Sequence, residues 1–599
     1  MKKVSDIVAE FLAENDQVSN DVFMVSGGGN MHLIDSLGRN EKLRYICNHH
    51  EQACAIAAEG YARVTNKIGV AMVTTGPGGT NAITGVYGAW VDSIPTLTIS
   101  GQVKFETTIA SQPELHLRQL GDQELNIVDL IKPITKYAVM VTDKNDILFH
   151  LEKAVYEAKS GRPGPVWLDI PLDIQGAKVN ENELRHFLPP PVSENDMQID
   201  EVLQLLEKAE RPVIIAGNGI TLAGANAVFV ELVEKLRIPV VGTFARYDIL
   251  HDDHPLAFGR YGTIGQRSAN FIVQNSDLLL AIGARMNIRS ISYNWEYFAR
   301  AATKIAVDID KAELDKHTLK IDVKIKADAG AFIRDLAERV IGQPLPSYNE
   351  WLRRCERYKK DFPTLPDERR NAKDFVDSYF FFDRLSDVVK DDAAFVFANA
   401  TASVSSFQSL KTKGTQKVIE NSGCAAMGYD LPAAIGACVG NGYKEVICVT
   451  GDGSLQMNLQ ELQTILHYRL PIKLFVLNND GYSSIRNTQN NFFNGFKVGS
   501  EAGSGVTFPD TIKLAEAYGY RTHRITNQTN LQDRLKKLIG EEGAFVCEVM
   551  IDSAEKMEPK LSSEVKSDGK IVSKPLEDMY PFLPRDIFDE NMIIAKIEE

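Results

Sequence analysis

The chain reads as an α/β protein of three doubly wound parallel-sheet domains followed by a C-terminal tail. Three observations support this. Strand-like apolar runs alternate with helical segments in three successive blocks, the rhythm a parallel sheet requires. Several of these runs end in glycine beside an acidic or amide residue, where a chain can turn from strand into helix. The stretch "HFLPPPVSENDMQID" (186–200), with three consecutive prolines and then polar residues, separates the first block from the second.

The first block, 1–185, carries the runs "DVFMVSG", "KIGVAMVTTG", "PTLTISG" and "GPVWLDIP", and its turn "TTGPGGTN" (74–81) joins a strand to a helix. The second, 196–345, opens with a helix near Val202 and continues through "PVIIAGNG", "IPVVGTF", "DLLLAIGAR" and "KIAVDID". The charged stretch "WLRRCERYKKDFPTLPDERRNAKD" reads as a solvated helix and connector. The third block, 372–551, holds "AFVFANA", "EVICVTGDG", "IKLFVLNNDG" and "AFVCEVMI". The tail, 552–599, has little periodicity, but its Leu, Met, Tyr and Phe favour a docked cover or lid over a free end.

At 599 residues the chain has material for three or four domains. A net charge of −14 without a basic cluster argues against a nucleic-acid partner. The N-terminal "MKKVSDIVAEFLAEN" has helical apolar spacing and early acidic residues, so it reads as an amphipathic helix and not a signal peptide. No apolar run is long enough to span a bilayer. Seven cysteines without a CxxC pair read as reduced, mostly packed thiols, which suggests a cytoplasmic protein.

The stretch Val446–Gly481, "VICVTGDGSLQMNLQELQTILHYRLPIKLFVLNNDG", holds most of the chemistry. Its two apolar runs flank one helical segment, a βαβ unit with parallel strands. Asp452 and the pair Asn478–Asn479 therefore fall just beyond the carboxyl ends of their strands, where open α/β sheets bind ligands. A carboxylate, an amide oxygen and backbone carbonyls are hard oxygen ligands suited to Mg²⁺ shared with phosphate oxygens. Gly451 and Gly453 let the backbone approach such an anion.

The pattern GDGS followed by NN, with Asp452 and Asn479 separated by 27 positions, resembles the thiamine diphosphate (ThDP) motif of the decarboxylase and acetolactate synthase superfamily. The resemblance implies Asp452, Asn479 and the Gly481 carbonyl as Mg²⁺ ligands. The segment "HHEQACAIAAEGYAR" (49–63) resembles the one that carries the family's activating glutamate, here Glu51. That acid protonates the cofactor's aminopyrimidine ring, while the cofactor supplies the electron sink. The segment "GCAAMGYDLPAAIGA" (423–437) resembles the one that bends the cofactor, with Met427 as wedge and the Ala425 carbonyl on the aminopyrimidine. A core methionine is the plain alternative for Met427.

Two further stretches, 74–103 and 118–138, are very similar to acetolactate synthase large subunits, and Gln123 matches a family active-site glutamine. The resemblance thus covers a pyrimidine-binding, a middle and a diphosphate-binding domain. It assigns Pro77, Asn81, Gly451, Gly453, Ser454, Tyr482, Ser483, Ser484 and Ile485 to cofactor binding, and Glu51, Gln123, Gly28 and His50 to catalysis or substrate contact. In the middle block, Gly217, Asn218, Gly219, Gly262, Gly265, Gly283, Arg285 and Asp308 stand where acetolactate synthases bind a structural FAD. Sister enzymes keep this domain without flavin, so both readings stay open.

Departures from the family pattern bear on the substrate. "VSGGGNMHLIDSLG" (25–38) replaces the usual Pro-Gly-Gly segment, and "GYSSIRNTQNNFF" (481–493) replaces a Met-rich stretch ending in Trp, with Thr488 at the Trp position. A wider, more polar pocket suits a larger, hydroxylated acceptor, and the tail resembles those of homologues linked to surface-polysaccharide synthesis. The expected activity is a carboligase that decarboxylates a 2-oxo acid, pyruvate foremost, and transfers the two-carbon unit to a keto-sugar derivative or a second 2-oxo acid. The alternatives are a simple decarboxylase releasing an aldehyde and a non-catalytic homologue. The family arrangement implies a homodimer or homotetramer with Glu51 and Asp452 acting across an interface.

Overall fold

The computed structural model describes residues 1–191, 197–397, 399–565 and 571–597. Part of the expected linker, including 196 at the start of the middle block, lies outside the described residues, as do 566–570 and 598–599 of the tail. Three six-stranded sheets follow one another along the chain, and every strand pair within them is parallel.

The first sheet comprises β1 (Val18–Met24), β2 (Arg44–Cys47), β3 (Ile68–Val73), β4 (Thr96–Gln102), β5 (Tyr137–Met140) and β6 (Val166–Pro171), in the order 2-1-3-4-6-5. The second comprises β7 (Pro212–Ala216), β8 (Val240–Gly242), β9 (Ala257–Arg260), β10 (Leu278–Ile282), β11 (Thr303–Asp308) and β12 (Val323–Lys326), in the order 9-8-7-10-11-12. The third comprises β13 (Ala394–Phe397), β14 (Lys417–Ile419), β15 (Val446–Gly451), β16 (Ile472–Asn478), β17 (Arg521–Ile525) and β18 (Phe545–Met550), in the order 14-13-15-16-18-17. The expected neighbours β15 and β16 pair in parallel from Val446↔Ile472 to Gly451↔Leu477, which sets their two carboxyl-end turns side by side.

Six helices position the site: α1 (Glu51–Thr65), α2 (Pro77–Asp92), α3 (Arg267–Gln274), α4 (Asp430–Gly440), α5 (Glu461–His467) and α6 (Ser483–Phe492). Helix α1 packs against α4, and small residues make this possible. A side chain at Gly60 would fall 2.5 Å from the Ala433 carbonyl, and one at Gly436 would strike Ala57. The first and third sheets therefore share one apolar core, in which Ala57, Ala58 and Ile56 meet Ala433, Ala434 and Ala437. A buried charge network crosses the same seam. Arg63 donates to Glu59 at 2.6 Å and to Asp92 at 2.8 Å, and Asn421 donates to Glu59 at 2.9 Å. Such a network specifies how the two domains fit, because an unpaired charge at this depth is costly.

The tail is docked, on the middle domain. Leu576 and Phe588 complete that domain's core. Asn270 and Arg267 of α3 donate to the carbonyls of Leu576, Met579 and Pro581, and Arg300 pairs with the buried Glu577 at 2.7 Å.

Candidate active site

The two strand-end turns of the third sheet stand side by side and form one wall of the candidate site. Asp452 is buried, and its carboxylate accepts from the Gly453 N–H at 2.8 Å and from the Gly481 N–H at 3.2 Å. Burial raises its pKa to about 6, the backbone donors opposing the shift. The two asparagines face opposite ways. Asn478 donates to Glu548 at 2.7 Å, whereas Asn479 is buried with its Nδ2 3.4 Å from Thr401 Oγ1 and its Oδ1 without a partner. An orphaned buried amide oxygen is costly, and it lies in the turn after β16, next to the turn after β15 that carries Asp452. Gly451 has open space where a side chain would stand, while Gly453 is closed off by the Tyr482 ring. Among the described residues no group of three His, Cys, Asp or Glu could hold a metal. A cation here would draw on one carboxylate, one amide and a carbonyl, leaving further positions for phosphate oxygens, the donor set Mg²⁺ accepts. The residues fit a Mg²⁺–diphosphate ligand.

The loop 421–428 stands beside this wall. Ala425 has a left-handed φ of 53°, and its carbonyl accepts from Asn399 Nδ2 at 3.1 Å. Met427 is only half-buried, so it is not a core methionine. Ser454 is turned into the structure: it donates to Asp430 at 2.6 Å and accepts from the Gly428 N–H at 2.8 Å. Its hydroxyl braces the loop that carries Met427.

The other half of the site lies at the strand ends of the first sheet. Glu51 is the first residue of α1, and His50 is the N-cap, its Nδ1 accepting from the Gln52 N–H at 3.1 Å. The Glu51 carboxylate accepts from Asn81 Nδ2 at 3.0 Å. Pro77 opens α2, and the Gly76 before it has φ of 59° and leaves no room for a side chain against the Gln123 backbone. Gln123 itself has φ of 62° and is exposed. Gly27 and Gly29 are required by the nearby Thr74 and Thr75, but Gly28 faces open space. Glu51, Pro77, Asn81 and Gln123 are thus gathered at one edge, and Gly28 lies on the adjoining β1 loop.

Helix α6 continues from the Asn479–Gly481 turn. Tyr482 packs edge-on to Phe508, Ser483 is buried, Ser484 is half-buried, and Ile485 is exposed. Thr488 donates to the Ser484 carbonyl at 3.1 Å, so both polar residues share one helix face.

In the middle domain a cavity of about 320 Å³ opens at the strand ends, lined by Arg162, Asn218, Gly219, Gly283, Arg285 and Asp308 among others. Burial raises the Asp308 pKa to about 6. The glycines have a packing reason. Side chains at Gly217 or Gly219 would strike the Gly283–Ala284 backbone, and Gly262 and Gly265 belong to a tight turn against Arg289 and Tyr261. Gly217, Gly262 and Gly265 do not line the cavity. Its cations are engaged: Arg162 pairs with Glu313 at 2.6 Å and Asp310 at 3.1 Å, and Arg285 donates to the Val91 carbonyl.

Sequence reasoning missed several residues that the fold places here. Asn399 and Thr401 follow β13 as Asp452 follows β15, so the strand-end rule alone could have found them. Arg162, Asn458, Glu461 and Arg486 carry no local pattern and are reached only through tertiary contacts.

Parallel-sheet domains whose strand-end turns fit a magnesium-bound diphosphate are the architecture of a thiamine-diphosphate enzyme. Comparison with known proteins agrees along the chain. Residues 2–125 match the "Thiamine pyrophosphate enzyme, N-terminal TPP binding domain", 199–336 the central domain and 400–549 the C-terminal TPP binding domain. The chain is 32% identical to a probable acetolactate synthase large subunit of Methanocaldococcus jannaschii, over 93% of each chain. It is also 32% identical to the acetolactate synthase large subunit of Lactococcus lactis (92% of this chain, 93% of that one) and to the isozyme 1 large subunit of Escherichia coli K12 (89% and 92%). The chain belongs to the thiamine-diphosphate enzyme family, as a homologue of acetolactate synthase large subunits. It is an enzyme of the decarboxylase and carboligase type that uses ThDP and Mg²⁺. Among the described residues no helix is long and apolar enough to cross a membrane.

Proposed function

We propose that this enzyme takes a two-carbon unit from pyruvate and adds it to a carbonyl acceptor larger and more hydroxylated than a second pyruvate, such as a keto-sugar derivative. The observation that carries this is the room at Gly28, which has nothing within 4 Å of a would-be side chain, together with the polar pair Ser484 and Thr488 on α6. Bound ThDP supplies the electron sink that lets a 2-oxo acid lose CO₂. Asp452, Asn479 and the Gly481 carbonyl would hold its Mg²⁺. Met427 and Ala425 would support it, Pro77 and Asn81 would line its ring end, and Gly451, Gly453 and Tyr482–Ile485 would line its diphosphate. Glu51 holds the activating proton, and its hydrogen bond from Asn81 orients the carboxylate. Gln123 and the free Nε2 edge of His50 orient donor and acceptor. We read the domains as 1–185, 196–345 and 372–551 with a tail from 552, in a cytoplasmic homodimer or homotetramer where Glu51 of one copy serves the diphosphate site of another.

We also propose the middle cavity as a structural FAD site, with Arg162, Arg285 and Asp308 as its polar contacts. Flavin absorbance in the purified protein supports it. Colourless protein whose melting temperature does not respond to added FAD overturns it.

Labelled pyruvate offered alone and with a panel of keto-sugar nucleotides tests the acceptor. Label appearing in a branched-sugar product supports the proposal. Rapid acetolactate formation from pyruvate alone, unaffected by the panel, contradicts it.

A further inference from the structure

The metal-binding turn has a feature that its cofactor role does not explain. Arg486, on α6, is buried, and its guanidinium is aimed at backbone carbonyls. Nη1 donates to the carbonyl of Asp480 at 2.7 Å and to that of Ser500 at 3.4 Å. Nη2 donates to the carbonyl of Asn479 at 2.6 Å and to that of Ser553 at 3.1 Å. The nearest paired carboxylate, Glu501, stands 3.9 Å from Nε. A planar fork of five donors can grip several carbonyls at once, which a lysine ammonium on a flexible stem cannot reproduce.

The four carbonyls belong to three separate pieces of chain. Asn479 and Asp480 form the turn itself. Ser500 belongs to the loop whose carbonyl also accepts from the Tyr482 N–H at 2.9 Å. Ser553 opens the tail, just after β18. Arg486 also explains Gly481: with φ of 131°, a side chain there would fall 2.6 Å from Nη1 and strike the Ser500 carbonyl. With its first two carbonyls held, the turn presents the Asn479 side chain and the Gly481 carbonyl in one fixed arrangement.

The strap that begins at Ser553 is itself pinned. Glu555 accepts from Ser378 N–H at 2.8 Å, Arg369 donates to the Lys556 carbonyl at 3.1 Å, and the Glu558 N–H donates to Tyr379 at 3.0 Å. Further along it Gln408 holds the Pro559 carbonyl at 2.7 Å, and the Leu561 N–H donates to the Thr263 carbonyl of the middle domain at 2.6 Å.

We propose that Arg486 is a positioning residue: it sets the geometry of the Asn479–Gly481 turn and couples that turn to the seating of the 553–561 strap. The inference rests on the reading that this turn holds Mg²⁺.

The test uses the full chain with R486A, R486K and N479A, reading the Mg²⁺ concentration that half-restores the ThDP-dependent thermal shift. Proteolysis of the strap in cofactor-free protein is the second readout. Removing a group that orients a metal ligand costs roughly tenfold or more in affinity, so R486A is expected to raise the half-saturating Mg²⁺ by that factor. The strap should be cut sooner, and added guanidinium ion should reverse both effects. R486K should fall between R486A and wild type, and it carries the test should R486A fail to fold. A folded R486A or R486K with wild-type Mg²⁺ response overturns the proposal, as does a strap that loosens while the Mg²⁺ response stays unchanged. N479A separates the two readings: an unchanged Mg²⁺ response there removes the metal-turn reading itself, and the Arg486 proposal with it.

Discussion

Gln52 and Asn458, 406 positions apart, are joined by a hydrogen bond of 3.1 Å. The same Asn458 amide donates to the Gly428 carbonyl at 2.7 Å, so the residue after Glu51 is tied to the loop that carries Met427. Glu461 adds a second tie, accepting from the His49 N–H at 2.9 Å and from Asn48 at 2.8 Å. The start of α1 thus takes its position from the diphosphate-binding domain of its own chain.

Asn458→Ala should therefore weaken both the fold and the cofactor site. Leaving the buried Gly428 carbonyl unpaired costs about 1–3 kcal/mol, and the half-buried Gln52 loses a partner as well. Chemical denaturation should show a loss of that size, with a higher ThDP concentration needed for half-maximal activity. Unchanged stability and ThDP requirement would mean that the bridge is incidental.

Two glycines of the proposed metal site should respond in opposite ways. Gly451 has φ of −90° and open space beside it, so Gly451→Ala should leave the melting temperature within about 2 °C of wild type while weakening ThDP binding. Gly481→Ala forces a side chain to φ of 131° against Arg486, a strain of about 1–3 kcal/mol. It should lower the melting temperature and raise the Mg²⁺ requirement together. Thermal shift with and without Mg²⁺–ThDP separates the two.

Stability should fall as pH rises through the neutral range, in part because of Glu420. Burial raises its pKa to about 8, and Oε2 has no partner, although Ser403 donates to Oε1. The folded chain keeps this proton where the unfolded chain, with a pKa of 4.5, has lost it. The contribution is full below about 4.5 and is lost as pH rises through about 8. Glu420→Gln removes the titration, so its melting temperature should gain on wild type by at least about 2 °C between pH 6 and pH 9. A constant difference across that range would contradict the assignment.

Much of the fold was legible, and what was not follows one rule. In each sheet the four central strands announced themselves as continuous apolar runs, because both of their faces are buried. The six strands that gave no such signal, among them "RYIC" in β2, "VKIK" in β12 and "RTHRI" in β17, are the edges of the three sheets. Edge strands are partly exposed, and charged residues are compatible with that position. The site divided similarly. Asp452 and Asn479 could be placed at strand ends from local pattern, whereas Glu51 was reached through the family resemblance of its segment. Arg486 joins its near neighbours Asn479 and Asp480 to Ser500 and Ser553, Asn458 joins Gly428 to Gln52, and no spacing in the sequence encodes those links.

The proposed site is split between two copies, with Glu51 of one acting on the cofactor held at Asp452 of the other. Mixing E51Q and D452N chains, each inactive alone, tests it by co-refolding. Random pairing gives half mixed dimers with one intact site each, so about a quarter of wild-type activity should return. A mixture as inactive as its components, with mixed dimers demonstrated by mass spectrometry, would contradict the claim.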